Sequence, residues 1–138
     1  MPVGFESDEV WQARNRGFQM GVVQPDGIVV HLTGQVAWTS DEEILGIGDV
    51  EVQTRQIFDN ISGLLEKVGG TLADIVSITT YFTDRAQLPL IQKVRTEFLM
   101  NENAPVSTSV MVEGLGHKDF LVELTPIAVI PKERFIHP

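Results

Sequence analysis

A chain of 138 residues with 43% apolar side chains reads as one domain, 1–138, with enough hydrophobic material to bury a core. Its formal charge of −9 and its ten dispersed Lys and Arg argue against binding nucleic acid through phosphates. The absence of cysteine excludes disulfides, thiolate catalysis and Cys-ligated metals, and His31, His117 and His137 are too scattered in sequence to suggest a metal site.

Residues 1–15 are polar and mixed, with Trp11 as the large apolar group. They contain no basic segment leading into an apolar run, and no stretch of the chain approaches membrane-spanning length. A cytoplasmic protein without membrane contact is therefore expected. Phe18 to Val23 and Gly27 to Thr33 read as two strands joined by the turn chemistry of Gln24-Pro25-Asp26-Gly27. Gly34 to Trp38 continues or leaves the second strand, and 39–48 is a polar, glycine-bearing loop.

Asp49 is a good N-cap for the first helix. Val50, Ile57, Phe58, Ile61, Leu64, Leu65 and Val68 recur at helical spacing and predict one apolar stripe. Glu51, Arg55 and Asp59 stand four apart on the other side, where they can pair, and Gly69-Gly70 ends the helix. Ile75 to Thr83 alternates, with Val76, Ile78, Thr80 and Phe82 on one side of a strand. A second helix starts near Pro89, with Leu90, Ile91, Val94 and Phe98 as its apolar face and a stop between Asn101 and Pro105. Val106 to Val112 is a strand with small hydroxyl residues, Gly114 to Lys118 a turn, and Phe120 to Ile130 the last strand. Residues 131–138 read as a mobile tail.

The last strand carries one carboxylate, Glu123, among apolar residues. Alternation puts Phe120, Val122, Leu124 and Ala128 on one face and Leu121, Glu123, Thr125, Ile127 and Val129 on the other. A carboxylate so placed is hydrogen-bonded, paired or kept protonated, and acids of that kind are frequent in active sites and in structural networks alike. Pro126 cannot donate to a ladder, so the strand is at an edge or bulged there. Two helices suffice for one face of the sheet. The strands offer apolar residues on both, and a bare face of that kind is usually hidden in an oligomer.

Several segments in combination resemble the RidA family, also called YjgF. They are Thr33-Gly34-Gln35-Val36 at a strand end, Gly48 to Ile57 with Asn60 in the first helix, and Val68 to Val76 at the helix-to-strand link. Tyr81-Phe82-Thr83-Asp84 and Phe120-Leu121-Val122-Glu123 with Ile127-Ala128 complete them, over roughly residues 18–130. The resemblance implies an α+β, chorismate-mutase-like fold, βββαβαββ or a close variant, with a core at about 16–130. Its mixed sheet carries two helices on one face and closes into a barrel in a homotrimer. Family clefts lie between subunits and take a small-molecule ligand or substrate. Archetypes hydrolyse enamines and imines such as 2-aminoacrylate to keto acids and ammonia, with no metal or cofactor. A non-catalytic ligand-binding or protein-stabilising trimer is the alternative, and another C–N hydrolysis a third reading. Older labels for relatives, endoribonuclease and translation inhibitor, fit poorly with the acidic charge.

The departures from the archetype bear on the site. Archetypes read Pro-Ala-Arg-Ser ahead of the fifth strand, and that arginine grips the substrate carboxylate. Here Ser107 stands at its position. Phe18 stands closest to an archetypal tyrosine, Gln92 replaces an asparagine, and Arg95 replaces a further tyrosine. Glu123 is the candidate acid–base group, able to shuttle protons in tautomerisation and water addition, or else an anchor of a subunit contact. Candidate ligand contacts are Phe18, Thr33, Gly34, Gln35, Gln92, Arg95, Ser107 and Ser109. Gly34 allows close backbone approach or marks a bulge. Arg95 either replaces the missing cation or, as the ordinary case for arginine, is a solvated helix charge.

Overall fold

The computed structural model describes residues 2–99, 102 and 104–138. In chain order its elements are β1 (Val3–Phe5), β2 (Gly21–Val23), β3 (Ile28–His31), α1 (Val50–Glu66), β4 (Ile75–Phe82), α2 (Leu88–Leu99), β5 (Val106–Met111) and β6 (Val122–Ile130). The order is βββαβαββ.

Helix α1 starts where its cap says it should. Asp49 has extended backbone, and its carboxylate accepts from the N–H groups of Glu51 (3.1 Å) and Val52 (3.2 Å). Val50, Ile57, Phe58, Ile61 and Leu65 are buried, but Leu64, expected in the same stripe, is exposed. The charged side also differs from expectation. Arg55 reaches Glu97 on α2 at 2.6 Å and Glu51 reaches Lys93 at 3.3 Å, so the ion pairs bridge the two helices instead of running along one. Gly69, at φ +82°, supplies the left-handed residue that ends the helix region. On α2, Ile91 and Val94 face the core, while Leu90 is exposed. Phe58 and Phe98 stack at 4.7 Å between the helices. In the stop expected between Asn101 and Pro105, Asn101 and Asn103 lie outside the described residues.

Four strands form one sheet in the order β3-β6-β4-β5, with β4 and β5 parallel and the other pairs antiparallel. The core lies between one sheet face and the two helices: Ile78, Phe82, Val122, Leu124 and Ala128 pack with Ile57, Phe58, Ile61, Ile91 and Val94. Register fixes the residues of the other face. Tyr81 pairs with Glu123, Thr79 with both Thr125 and Thr108, and Ile127 with His31. These residues are half-buried or exposed, and among the described residues no helix covers this face.

Two expectations at the termini are corrected. β2 and β3 form no hairpin. β2 pairs instead with β1, an unanticipated strand, in a separate two-stranded ribbon, and Gln24–Gly27 only redirects the chain into the main sheet. Ahead of β2, Gln19 bridges to Val106, which lays Phe18 and Gln19 beside the start of β5. The C-terminal tail is docked. Arg134 grips the buried Asp74 with Nη2 at 2.6 Å from Oδ1 and Nη1 at 3.1 Å from Oδ2, and Ile136 N–H donates to Val68 O at 3.0 Å. That carboxylate holds the Arg134 guanidinium above its ordinary range. Among the described residues no helix is long and apolar enough to cross a membrane.

Candidate functional site

The first group of candidate residues is built by a register change. β3 pairs His31 with Ile127, and the chain re-pairs at Gln35 with Leu124. Leu32, Thr33 and Gly34 therefore oppose only Thr125 and Pro126, which is a bulge. It sits where Pro126 has no N–H to offer, so the proline interrupts the ladder on a central strand. Reciprocal bonds, Gln35 N–H to Leu124 O at 2.8 Å and Leu124 N–H to Gln35 O at 3.0 Å, close the bulge.

This geometry presses Gly34 against Glu123. A Cβ on Gly34 would collide with the Glu123 carboxylate and crowd Thr125 Oγ1, so the glycine is needed for approach. The Glu123 carboxylate is half-buried and makes no hydrogen bond or ion pair among the described residues. Gly34 N–H is likewise without a partner among the described residues. Thr33 is exposed, and the Gln35 side-chain amide is engaged on Thr33 O at 3.0 Å. The loop beyond is fastened by Asn60, which donates to Val36 O (3.2 Å) and Trp38 O (3.0 Å).

The second group lies on the opposite sheet face. Ile78 pairs with Ser107 and Thr80 with Ser109, so both serines point to the helix side, and Thr108 points away. Arg95 on α2 meets them there. Its Nη1 donates to Ser107 Oγ at 3.1 Å and approaches Ser109 Oγ at 3.4 Å. Phe18 lies over the guanidinium, 5.5 Å from ring centroid to Cζ, and Trp11 stacks on Phe18 at 6.0 Å. Arg95 is 1% exposed, which corrects the expectation of a solvated helix charge. The reason is non-local: two hydroxyls from β5 and a ring from the segment before β2 supply the polar and apolar contacts that bury it. Burial pushes its pKa down. Gln92 lies one turn earlier on α2, half-buried, with its carbonyl accepting from Thr96 Oγ1 at 2.8 Å.

One chain thus sets Gly34 against Glu123 on the uncovered face and gathers Phe18, Arg95, Ser107 and Ser109 on the helix face, while Gln35, paired with the core residue Leu124, lines a cavity with Asn60 and Leu64 on the α1 side. It does not unite the two. Sequence reasoning missed two supporting residues. Gln53, fully buried, ties Gly46 O (3.1 Å), Asp119 O (2.8 Å) and Leu121 N–H (2.9 Å) together ahead of β6. Its signal was a polar residue within the apolar spacing of α1. Thr80 is buried beside Ser109 with its hydroxyl unbonded, and nothing in its strand-like pattern marked it. Among the described residues no group of three His, Asp or Glu side chains gathers as a metal site.

Comparison with known proteins gives the family. The sequence model of the endoribonuclease L-PSP family matches residues 15–130. A RutC family protein of Pyrococcus abyssi is 30% identical over 102 residues, covering 74% of this chain and 79% of that protein. Among solved structures, the Rid family protein YyfB of Yersinia pestis superposes with a TM-score of 0.87 at 27% identity, covering 94% of this chain and 98% of that one. RidA from an Antarctic Psychrobacter species gives 0.67 at 29% identity, over 77% and 84% of the two chains. The chain therefore belongs to the RidA/YjgF family.

Proposed function

We propose that this protein hydrolyses enamine and imine intermediates to keto compounds and ammonia, in a cleft completed between copies of the chain in a homotrimer. The observation that carries this reading is the free Glu123 carboxylate, half-buried against Gly34 on a sheet face with no helix layer. A structural carboxylate in that position would be expected to have a partner within its own chain.

In this reading the enamine takes a proton at its terminal carbon and becomes an iminium, the protonated imine. Water then adds to the C=N carbon, a C–O bond forms, and the carbinolamine collapses with cleavage of C–N. One water is consumed, and one ammonia and one carbonyl compound leave. Glu123 delivers the first proton, takes one from the attacking water, passes it to the departing nitrogen, and recovers its proton from the hydroxyl of the carbinolamine as the carbonyl forms. In this reading the unbonded Gly34 N–H binds the oxygen as charge gathers on it. The chemistry needs no metal or cofactor. The nuclease name of the family does not carry over in this reading, because a net charge of −9 opposes a polyanion.

The test is ammonia release from 2-aminoacrylate or a longer homologue generated in situ, with wild type and Glu123→Gln compared. A loss of about 10²–10⁴-fold with unchanged melting temperature is expected. Full activity with Gln removes Glu123 from the chemistry. Binding of such compounds without ammonia release supports the non-catalytic ligand-binding class instead.

A further inference from the structure

We infer that the groove between α1 and the segment after β3 is a second ligand site, for a zwitterionic dipeptide carrying an aromatic or large apolar side chain. The groove holds a cavity of about 490 Å³. It lies on the α1 side, behind the strand segment that sets Gly34 against Glu123, and Gln35, paired with Leu124, forms part of its wall. Its apolar surfaces are Trp38 and Leu64, which are 46% and 41% exposed. The Trp38 ring is held in place: Phe120 meets it edge-on at 5.2 Å, and Asn60 binds its carbonyl at 3.0 Å. A rigid, half-open indole is a ready surface for a ring or an apolar side chain.

Gly63 adds a second, independent observation. It lies inside α1, where glycine weakens a helix, and its backbone has no left-handed angle that would call for it. A Cβ there would meet nothing within 4 Å, so packing within the chain does not call for it either. What the missing side chain leaves is room on the groove floor between Trp38 and Leu64. Charge and length then select the occupant. Asp59 and Lys67 line the same groove, both are exposed, and neither side chain has an ion pair or hydrogen bond among the described residues. Asp59, Gly63 and Lys67 are spaced four apart, so they share one stripe with the glycine between the charges. Eight residues of helix separate the two charges by about 12 Å, and both side chains tilt the same way, which preserves the spacing. An extended dipeptide spans about 7 Å. A hydrogen bond of about 3 Å at each end, from its ammonium to Asp59 and from Lys67 to its carboxylate, brings that to about 13 Å. A free amino acid is too short to reach both.

The experiment is titration with alanyl-phenylalanine, with its N-acetyl form and with its C-terminal amide. Trp38 fluorescence is read in a Trp11→Phe background, where Trp38 is the one indole of the chain. The free dipeptide should saturate, and each capped form should bind about ten- to hundredfold more weakly. Asp59→Asn should erase the discrimination against the acetyl form, and Lys67→Met that against the amide. Gly63→Leu should abolish binding with a melting temperature equal to or above that of the parent, since leucine favours the helix. No saturation at millimolar dipeptide overturns the inference, as do capped forms that bind equally well and binding that survives Gly63→Leu. A changed mass of the assembly in Gly63→Leu also overturns it, because the groove would then be a contact between copies of the chain. Should Gly63→Leu fail to fold, the two exposed charge variants decide on the same terms. The readout is separate from ammonia release. Glu123→Gln should leave dipeptide binding unchanged, and its loss there would place the dipeptide in the enamine cleft and overturn the second site.

Discussion

Arg95 Nη1 lies 3.1 Å from Ser107 Oγ, so a helix guanidinium stands beside the start of β5. Position 107 carries a hydroxyl, and α2 brings a cation to it. The two sites are therefore exchangeable in principle, and their coupling is measurable.

Ser107→Arg sets a second guanidinium against a buried one that already lacks a counter-charge. We expect it to cost on the order of 3 kcal/mol of stability. The double variant Ser107→Arg with Arg95→Tyr moves the one cation from α2 to β5. It should recover at least about 1 kcal/mol relative to additivity. Chemical denaturation of the four proteins of the cycle measures this, and strict additivity would show that positions 95 and 107 do not share a site.

Gly34→Ala drives a methyl into the Glu123 carboxylate. Overpacking of this kind costs about 1–3 kcal/mol, and it should also depress ammonia release because the acid is displaced. In a Glu123→Ala background the same change should cost far less. Equal cost in both backgrounds would mean that the clash is with the strand and not with the carboxylate.

The ion pair between Arg55 and Glu97 gives a pH-dependent term of known sign. The Arg55 hydrogen bond holds the Glu97 carboxyl below its ordinary 4.5. A depressed carboxyl stabilises the fold above its unfolded-state value and loses that contribution as pH falls through the folded one. The melting-temperature difference between wild type and Glu97→Gln should be small at neutral pH, close below about pH 4, and shrink with added salt. A difference that grows on acidification would contradict the assignment.

Assembly is the next expectation. One sheet face carries Tyr81, Glu123, Thr125 and Ile127 with no helix layer, and the chain leaves its two groups of candidate residues apart. Light scattering should give three times the chain mass of 15.3 kDa. A well-folded monomer at micromolar concentration would contradict it.

Much of the fold was legible because its signals are local. The Asp49 cap, the spacing of Ile57, Phe58, Ile61 and Leu65, and the alternation of β4 and β6 each act within a few residues of themselves. Pro126 even announced the bulge, although the extra residue lies on the facing segment at Leu32–Gly34. What was missed is non-local. β1 is three residues long and finds its partner across a long loop. The tail is docked by Arg134 on an aspartate sixty positions earlier. Arg95 falls four residues after the buried Ile91, so its spacing placed it inward, but its charge argued outward. Only the hydroxyls of β5 and the ring of Phe18, both distant in sequence, decide between the two.

We propose that the site is shared, with Glu123 from one copy of the chain and Arg95 from another. Glu123→Gln and Arg95→Met chains, each nearly inactive alone, can be unfolded together in equal amounts and refolded. Random assortment around a closed three-fold ring gives an intact Glu123 beside an intact Arg95 at about one interface in four, so ammonia release should return to roughly a quarter of wild type. Activity no higher than that of the two variants measured separately would contradict a shared site.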